Sequence, residues 1–155
     1  MPDAVKPIGC TNLKLRQLSR RVARVFEADV RELGLKNTQY SLLSHVVKLG
    51  PIQPSVLAAE MRLDPSTLTR NLQPLLAQGW VEVQPGPDAR SHRVAATESG
   101  RALRAEAQRA WKRSQLRVNE LLGVQRVAAL HALIDECLER LDAADAPDGA
   151  GAADE

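Results

Sequence analysis

The stretch LDPSTLTRNLQPLLAQG, Leu63 to Gly79, constrains the fold more than any other part of the chain. Leu68, Leu72, Leu75 and Leu76 fall within about 100° of arc when wound at 3.6 residues per turn, so they form one apolar helical face. Ser66, Arg70 and Gln73 lie opposite, with Thr67 and Thr69 at the flanks. A helix that only filled a core has no use for hydroxyls and an arginine gathered on its outer side. Its opening is well marked: Asp64 can cap it and Pro65 suits the first helical position, where no backbone donor is required. Gly79 closes it. Pro74 deletes one helical hydrogen bond and presses on the carbonyl of Arg70, which predicts a bend or an early end to the regular part.

The flanking segments set that helix in a pattern. PSVLAAEM reads as a short helix and RLD as a three-residue turn, so the two helices form a helix-turn-helix. Upstream, TNLKLRQLSRRVARVFEADVREL is a long helix with Leu15, Leu18, Val22, Val25 or Phe26, Val30 and Leu33 at helical spacing, stopped by Gly34. NTQYSLLSHVVKLG is a second, capped by Asn37 or Thr38, with Leu42, Leu43, Val46 and Val47 inward and Gly50–Pro51 as terminator. Downstream, WVEV and HRVA alternate like two strands around a PGPD turn, leaving Asp88, Arg90, Ser91, His92 and Arg93 at or near the tip. Thr97 caps a long helix from Glu98 to about Leu122. A last helix, Val124 to Leu141, carries Val127, Leu130, Ile134, Cys137 or Leu138, and Leu141 at near-heptad spacing.

The fold class that follows is mainly α with a small β-hairpin wing, a winged helix-turn-helix. We divide the chain into one domain over 10–141, with 36–100 as the winged module and 10–35 and 101–141 as dimerisation helices. Residues 1–9 read as flexible and 142–155 as a disordered acidic tail. The end helices exceed what a winged module needs for its own core, and their unused apolar stripes predict a partner subunit.

Composition excludes several functions. The chain has 155 residues, 44% hydrophobic but only 3% aromatic, so leucine, valine and alanine must fill the core. No apolar run approaches the length of a membrane span, and MPDAVKPIGC lacks the apolar centre of a secretory signal. With two cysteines, the expected setting is the reducing cytoplasm. His45, His92 and His131 have no metal-ligand spacing, so neither a metal site nor a cofactor is expected. There is no Gly-rich phosphate loop, no paired acids and no nucleophile with a base at hand, which argues against an enzyme. The net charge of +2 is uneven: residues 1–100 hold 13 Lys+Arg against 9 Asp+Glu, and 101–155 hold 8 against 10. The basic run of 101–117 reads as a solvated helix face.

The pattern points to double-stranded DNA. A B-form major groove admits one helix, and hydroxyls and amides on its outward face reach base edges and phosphates. Arg70 suits a guanine bidentately, and Gln73 an adenine. An arginine at the hairpin tip suits the narrow minor groove. Arg93 reads either as a phosphate contact or as a solvated strand residue.

In TQYSLL, in LAAEM and DPSTLTRNLQPLLAQGWVE, and in DARSHRVAAT followed by Gly100, the chain resembles the MarR family of bacterial regulators. The resemblance runs from about Thr11 to Leu141, and its most specific element is the spacing of Asp88, Arg90, Ser91, Thr97 and Gly100. It implies an obligate dimer on a pseudo-palindromic operator, with Ser66, Thr67, Thr69, Arg70 and Asn71 as recognition-helix contacts. Asp88 would brace Arg90, the minor-groove finger. Gln84, Ala96 and Trp80 depart from the usual pattern, where a base, a leucine and a smaller aliphatic stand. The family also implies a repressor released by a small aromatic or anionic effector, here expected near Arg21, Arg24, His45 and Trp111.

Cys10 precedes the first long helix beside Lys14 and Arg16, the setting of a reactive thiol. Peroxide-sensing members carry a cysteine near that place, hydrogen-bonded by tyrosines; this chain has one, Tyr40, with Phe26 where a second might be. Two readings stand for Cys10, a redox sensor and an inert buried thiol; Cys137 reads as packing. A helical interaction module that has lost DNA binding is the alternative from another class.

Overall fold

Helix caps and turns fall where local chemistry puts them in the computed structural model, which describes residues 6–88 and 90–145. The elements in order are α1 (Thr11–Arg31), α2 (Asn37–Leu49), α3 (Pro54–Glu60), α4 (Pro65–Ala77), β1 (Val81–Pro85), β2 (His92–Ala96), α5 (Glu98–Leu122) and α6 (Val124–Asp145). This is a mainly helical chain with one two-stranded antiparallel sheet, as the sequence predicts. Within α5 it divides into two compact units, the first ending at Gln115 and the second beginning at Leu116. No described helix is long and apolar enough to cross a membrane.

The helix-turn-helix is built from end signals. After α3 the backbone turns through Arg62 at φ 52°, and Leu63 N–H reaches back to the Ala58 carbonyl at 2.9 Å. Asp64 then caps α4, accepting the Thr67 N–H at 2.8 Å, with Pro65 in the first turn. At the far end, Gly79 N–H bonds Leu76 O and Trp80 N–H bonds Leu75 O, both at 3.0 Å. That is a Schellman closure, and its left-handed residue is Gly79 at φ 69°. Pro74 does not end the helix early, since α4 continues to Ala77 and Gln78 N–H still finds the Pro74 carbonyl. Proline removes a donor only toward the preceding turn, and buried Leu72 and Leu75 on either side hold the last turn in place.

The first unit holds two apolar clusters. One gathers Leu42, Leu43 and Val46 of α2, Leu57 of α3, Leu68, Leu72 and Leu75 of α4, and Val81 and Val94 of the hairpin. The other gathers Val30, Leu35, Tyr40 and Ala107. Trp80 and Leu103 pack against both, so the unexpected tryptophan joins the two cores. Each fully buried leucine contributes on the order of 1.5–3 kcal/mol. The α1–α5 contact adds a polar tie, because buried Ser114 donates its hydroxyl to the Asp29 carboxylate at 2.6 Å.

Several expectations need correction. The cap of α2 is Lys36, not Asn37 or Thr38; its N–H is received by the Gln39 side chain at 2.8 Å. In α1 only Phe26 and Val30 are buried, and exposed Leu15 and Leu18 belong to the stripe expected to remain over for a partner. In α6, Val127 is buried, while Ile134 and Leu141 of the expected stripe are exposed, as is Leu133 beside it. Cys10 and Cys137 are both exposed, so neither thiol is buried within the single chain. The acidic tail begins later than expected: Asp142 to Asp145 continue α6, where Ala143 and Ala144 favour helix. The rest of that tail, 146–155, lies outside the described residues, as do residues 1–5 of the N-terminal stretch.

Candidate nucleic-acid interface

The outer face of α4 is defined by what its other face buries. With Leu68, Leu72 and Leu75 inward, Ser66, Thr69, Arg70 and Gln73 are exposed, and Thr67 and Asn71 are half-buried at the edges. The three hydroxyls are not idle. Ser66 and Thr67 each donate to the Asp64 carboxylate at 2.5 Å, and Thr69 donates to the Pro65 carbonyl at 2.9 Å. Those bonds, the Ser66 hydroxyl first, hold the Asp64 carboxyl well below the usual carboxylate range. The donors of this face therefore sit on Arg70, Asn71 and Gln73, while the hydroxyls present lone pairs.

The hairpin pairs Val81 with Ala96, Val83 with Val94, and Pro85 with His92. Midway along β2 it gains a bridge that alternation alone does not reveal: Ile52 and Val94 exchange N–H···O bonds of 3.0 and 2.8 Å. At the tip, Asp88 Oδ1 accepts the N–H groups of Arg90 at 3.0 Å and Ser91 at 2.8 Å. These bonds, that of Arg90 first, lower the pKa of Asp88. Asp88 thus acts on the main chain beneath Arg90, which is exposed. Arg93 is half-buried on β2, opposite Gln84.

The wing and α4 share one anchor. Thr97 Oγ1 donates to the Gly79 carbonyl at 2.7 Å and accepts the Gly100 N–H at 3.1 Å, capping α5. A Cβ at position 100 would stand 1.9 Å from the Trp80 carbonyl, so this close approach requires glycine. The paired threonine and glycine downstream of the wing therefore fix the end of α4 against the start of α5.

Of the four residues expected around an effector, Trp111 lines a hollow to which Arg21, Arg24 and His45 do not contribute. Trp111 packs on Phe26 with ring centroids 5.9 Å apart, and both line a hollow of about 200 Å³ with Ser19, Val22, Ala23 and Asn37. Arg21 and Arg24 are exposed on α1, and neither lines the hollow. His45 is bound to its own helix through Nδ1 and the Ser41 carbonyl, 2.8 Å apart. Positions 19, 22, 23 and 26 share one helical face, while 21 and 24 are rotated off it. That spacing was the available signal for the hollow. Among the described residues no three His, Cys, Asp or Glu are grouped to hold a metal ion.

Comparison with known proteins finds regulators. A profile of the MarR family matches residues 33–91. The crystal structure of the M. tuberculosis transcriptional regulator MosR in complex with DNA is similar at 34% identity and a TM-score of 0.68, covering 83% of this chain and 98% of that one. The multiple antibiotic resistance protein MarR of Salmonella typhimurium is 28% identical over 123 residues, 78% of this chain and 85% of that protein. The HTH-type transcriptional regulator YwoH of Bacillus subtilis is 26% identical over 85 residues, 55% of this chain; the match spans only 62% of that relative. The chain belongs to the MarR family of winged helix-turn-helix transcriptional regulators.

Proposed function

We propose that the chain is a homodimeric repressor that binds a pseudo-palindromic site on double-stranded DNA in the cytoplasm. The observation that carries the reading is the exposed face of α4, with Arg70 and Gln73 free of the core, beside a wing whose Asp88 holds the backbone under exposed Arg90. Ser66, Thr67, Thr69, Asn71 and Arg93 complete the interface. That MosR was crystallised with DNA supports this use of the fold. Exposed Leu15 on α1, with Leu133 and Leu141 on α6, supports dimerisation through the terminal helices.

The test is a gel shift on the protein's own upstream DNA. Binding should weaken steeply with salt, as phosphate contacts require. Arg90→Ala should lose about 1–3 kcal/mol of affinity with unchanged folding. Binding that ignores salt, or none at all, would sink the proposal.

Release of the DNA is proposed to come from a small aromatic or anionic ligand, and the hollow beside Phe26 and Trp111 supports an aromatic one. The exposure of Cys10 favours a second reading, release by peroxide. One oxygen would pass to the Cys10 thiolate, giving a sulfenic acid and releasing hydroxide. Peroxide that still releases DNA from Cys10→Ser eliminates that reading.

A further inference from the structure

A hollow of about 220 Å³ separates the start of α2 from the outer side of α4, lined by Lys36, Thr38, Gln39, Arg70, Asn71 and Pro74. It has room for about seven waters at roughly 30 Å³ each, enough for one phosphodiester with part of its hydration. Its chemistry is one-sided. Two cations line it and no acid does. The Gln39 side-chain oxygen is already occupied by the Lys36 N–H at 2.8 Å, so its amide nitrogen is the free end. The first intrahelical main-chain bond of α2 runs from Tyr40 N–H to Lys36 O, and the N–H groups of the first turn, 37–39, have no main-chain acceptor in the helix. All of this meets the same α4 surface that carries Arg70 and Asn71.

From these observations we infer that the hollow is a phosphate seat for the DNA backbone, with Lys36 as a contact outside the recognition helix and wing. The inference rests on the proposed DNA binding and deepens it. Lys36 and Thr38 would hold the oxyanion from the α2 side and Arg70 from the α4 side. One strand is thereby clamped where α4 enters the groove. A phosphate carries no base identity, so the seat adds affinity and register without sequence preference.

Fluorescence anisotropy with a labelled duplex of the protein's upstream region, and with a scrambled duplex of equal length, tests the seat. Lys36→Ala should weaken both duplexes by the same factor, about three- to tenfold, and lower the slope of log affinity against log salt by about one per subunit. Lys36→Arg should restore both. Thermal unfolding should not move, because the Lys36 side chain is exposed and its capping role uses only the backbone.

Wild-type binding that alanine leaves unchanged would overturn the seat while leaving DNA binding intact. Absence of wild-type binding would instead remove the underlying reading. A loss confined to the upstream duplex would make Lys36 a base reader, which is also contrary to the inference. Inorganic phosphate at constant ionic strength provides the last arm. If it displaces the duplex from wild type but not from Lys36→Ala, and the salt slopes agree, the hollow takes a free oxyanion rather than DNA.

Discussion

The winged module and the terminal helices use their leucines in opposite ways. In α2, α3 and α4, Leu43, Leu57 and Leu75 are fully buried, and the module's polar residues close its own ends and turns. In the first half of α1 and along α6, Leu15, Leu133 and Leu141 face outward with more than half their surface exposed. The two regions have comparable helical sequences, so propensity does not separate them. What differs is whether a second apolar surface lies within the same chain. A region that completes its own core leaves its outer face available to a ligand, while one that keeps large apolar side chains exposed offers them to another surface.

Substitutions placed in each region should therefore give unlike results. The largest effect is expected in the module: Leu75→Ala should destabilise the protein by about 2–5 kcal/mol in chemical denaturation, because α4 is pinned through that side chain. Loss below 1 kcal/mol would show that the module is not the self-sufficient region. A smaller effect, on association, is expected from Leu133→Asp combined with Leu141→Asp in α6. The assembly should dissociate at least about tenfold more readily, near 1.4 kcal/mol, as read by sedimentation. An oligomeric state that persists unchanged would separate these leucines from any subunit contact.

The smallest effect is a pH dependence. Asp64 and Asp88 have their carboxyl pKa values lowered from 3.8 by bonds to the charged form, so each contributes stability that is fully present above that value. The contribution should be lost as pH falls below 3.8 toward the folded-state values, and not between pH 5 and 8. Asp64→Asn keeps a good cap and should flatten that acid limb. An acid limb unchanged in the variant would place its origin elsewhere.

The sequence made the module legible because its signals are short-range. Asp64, Pro65 and Gly79 bound α4 within one segment, and the alternation on either side of PGPD is enough for a hairpin. The polar face of α4 followed from the leucine spacing alone. The lining of the α1 hollow is legible only through helical phase. Phase separates Val22, Ala23 and Phe26, which line a hollow, from Arg21 and Arg24, which do not. At Pro74 the local penalty of proline is outweighed by buried Leu72 and Leu75, which hold the helix beyond it.

The sequence by itself determined the helices, the Asp64 and Thr97 caps, the hairpin and the side of α4 that is polar, since all of these depend on residues a few positions apart. Only the tertiary structure decided that Trp80 joins two cores, that Ile52 bridges to Val94, and that Lys36 borders the same hollow as Arg70. The physical reason is range. Hydrogen-bond closure and side-chain periodicity act along the chain, whereas the approach of distant segments is chosen by packing all the apolar faces at once.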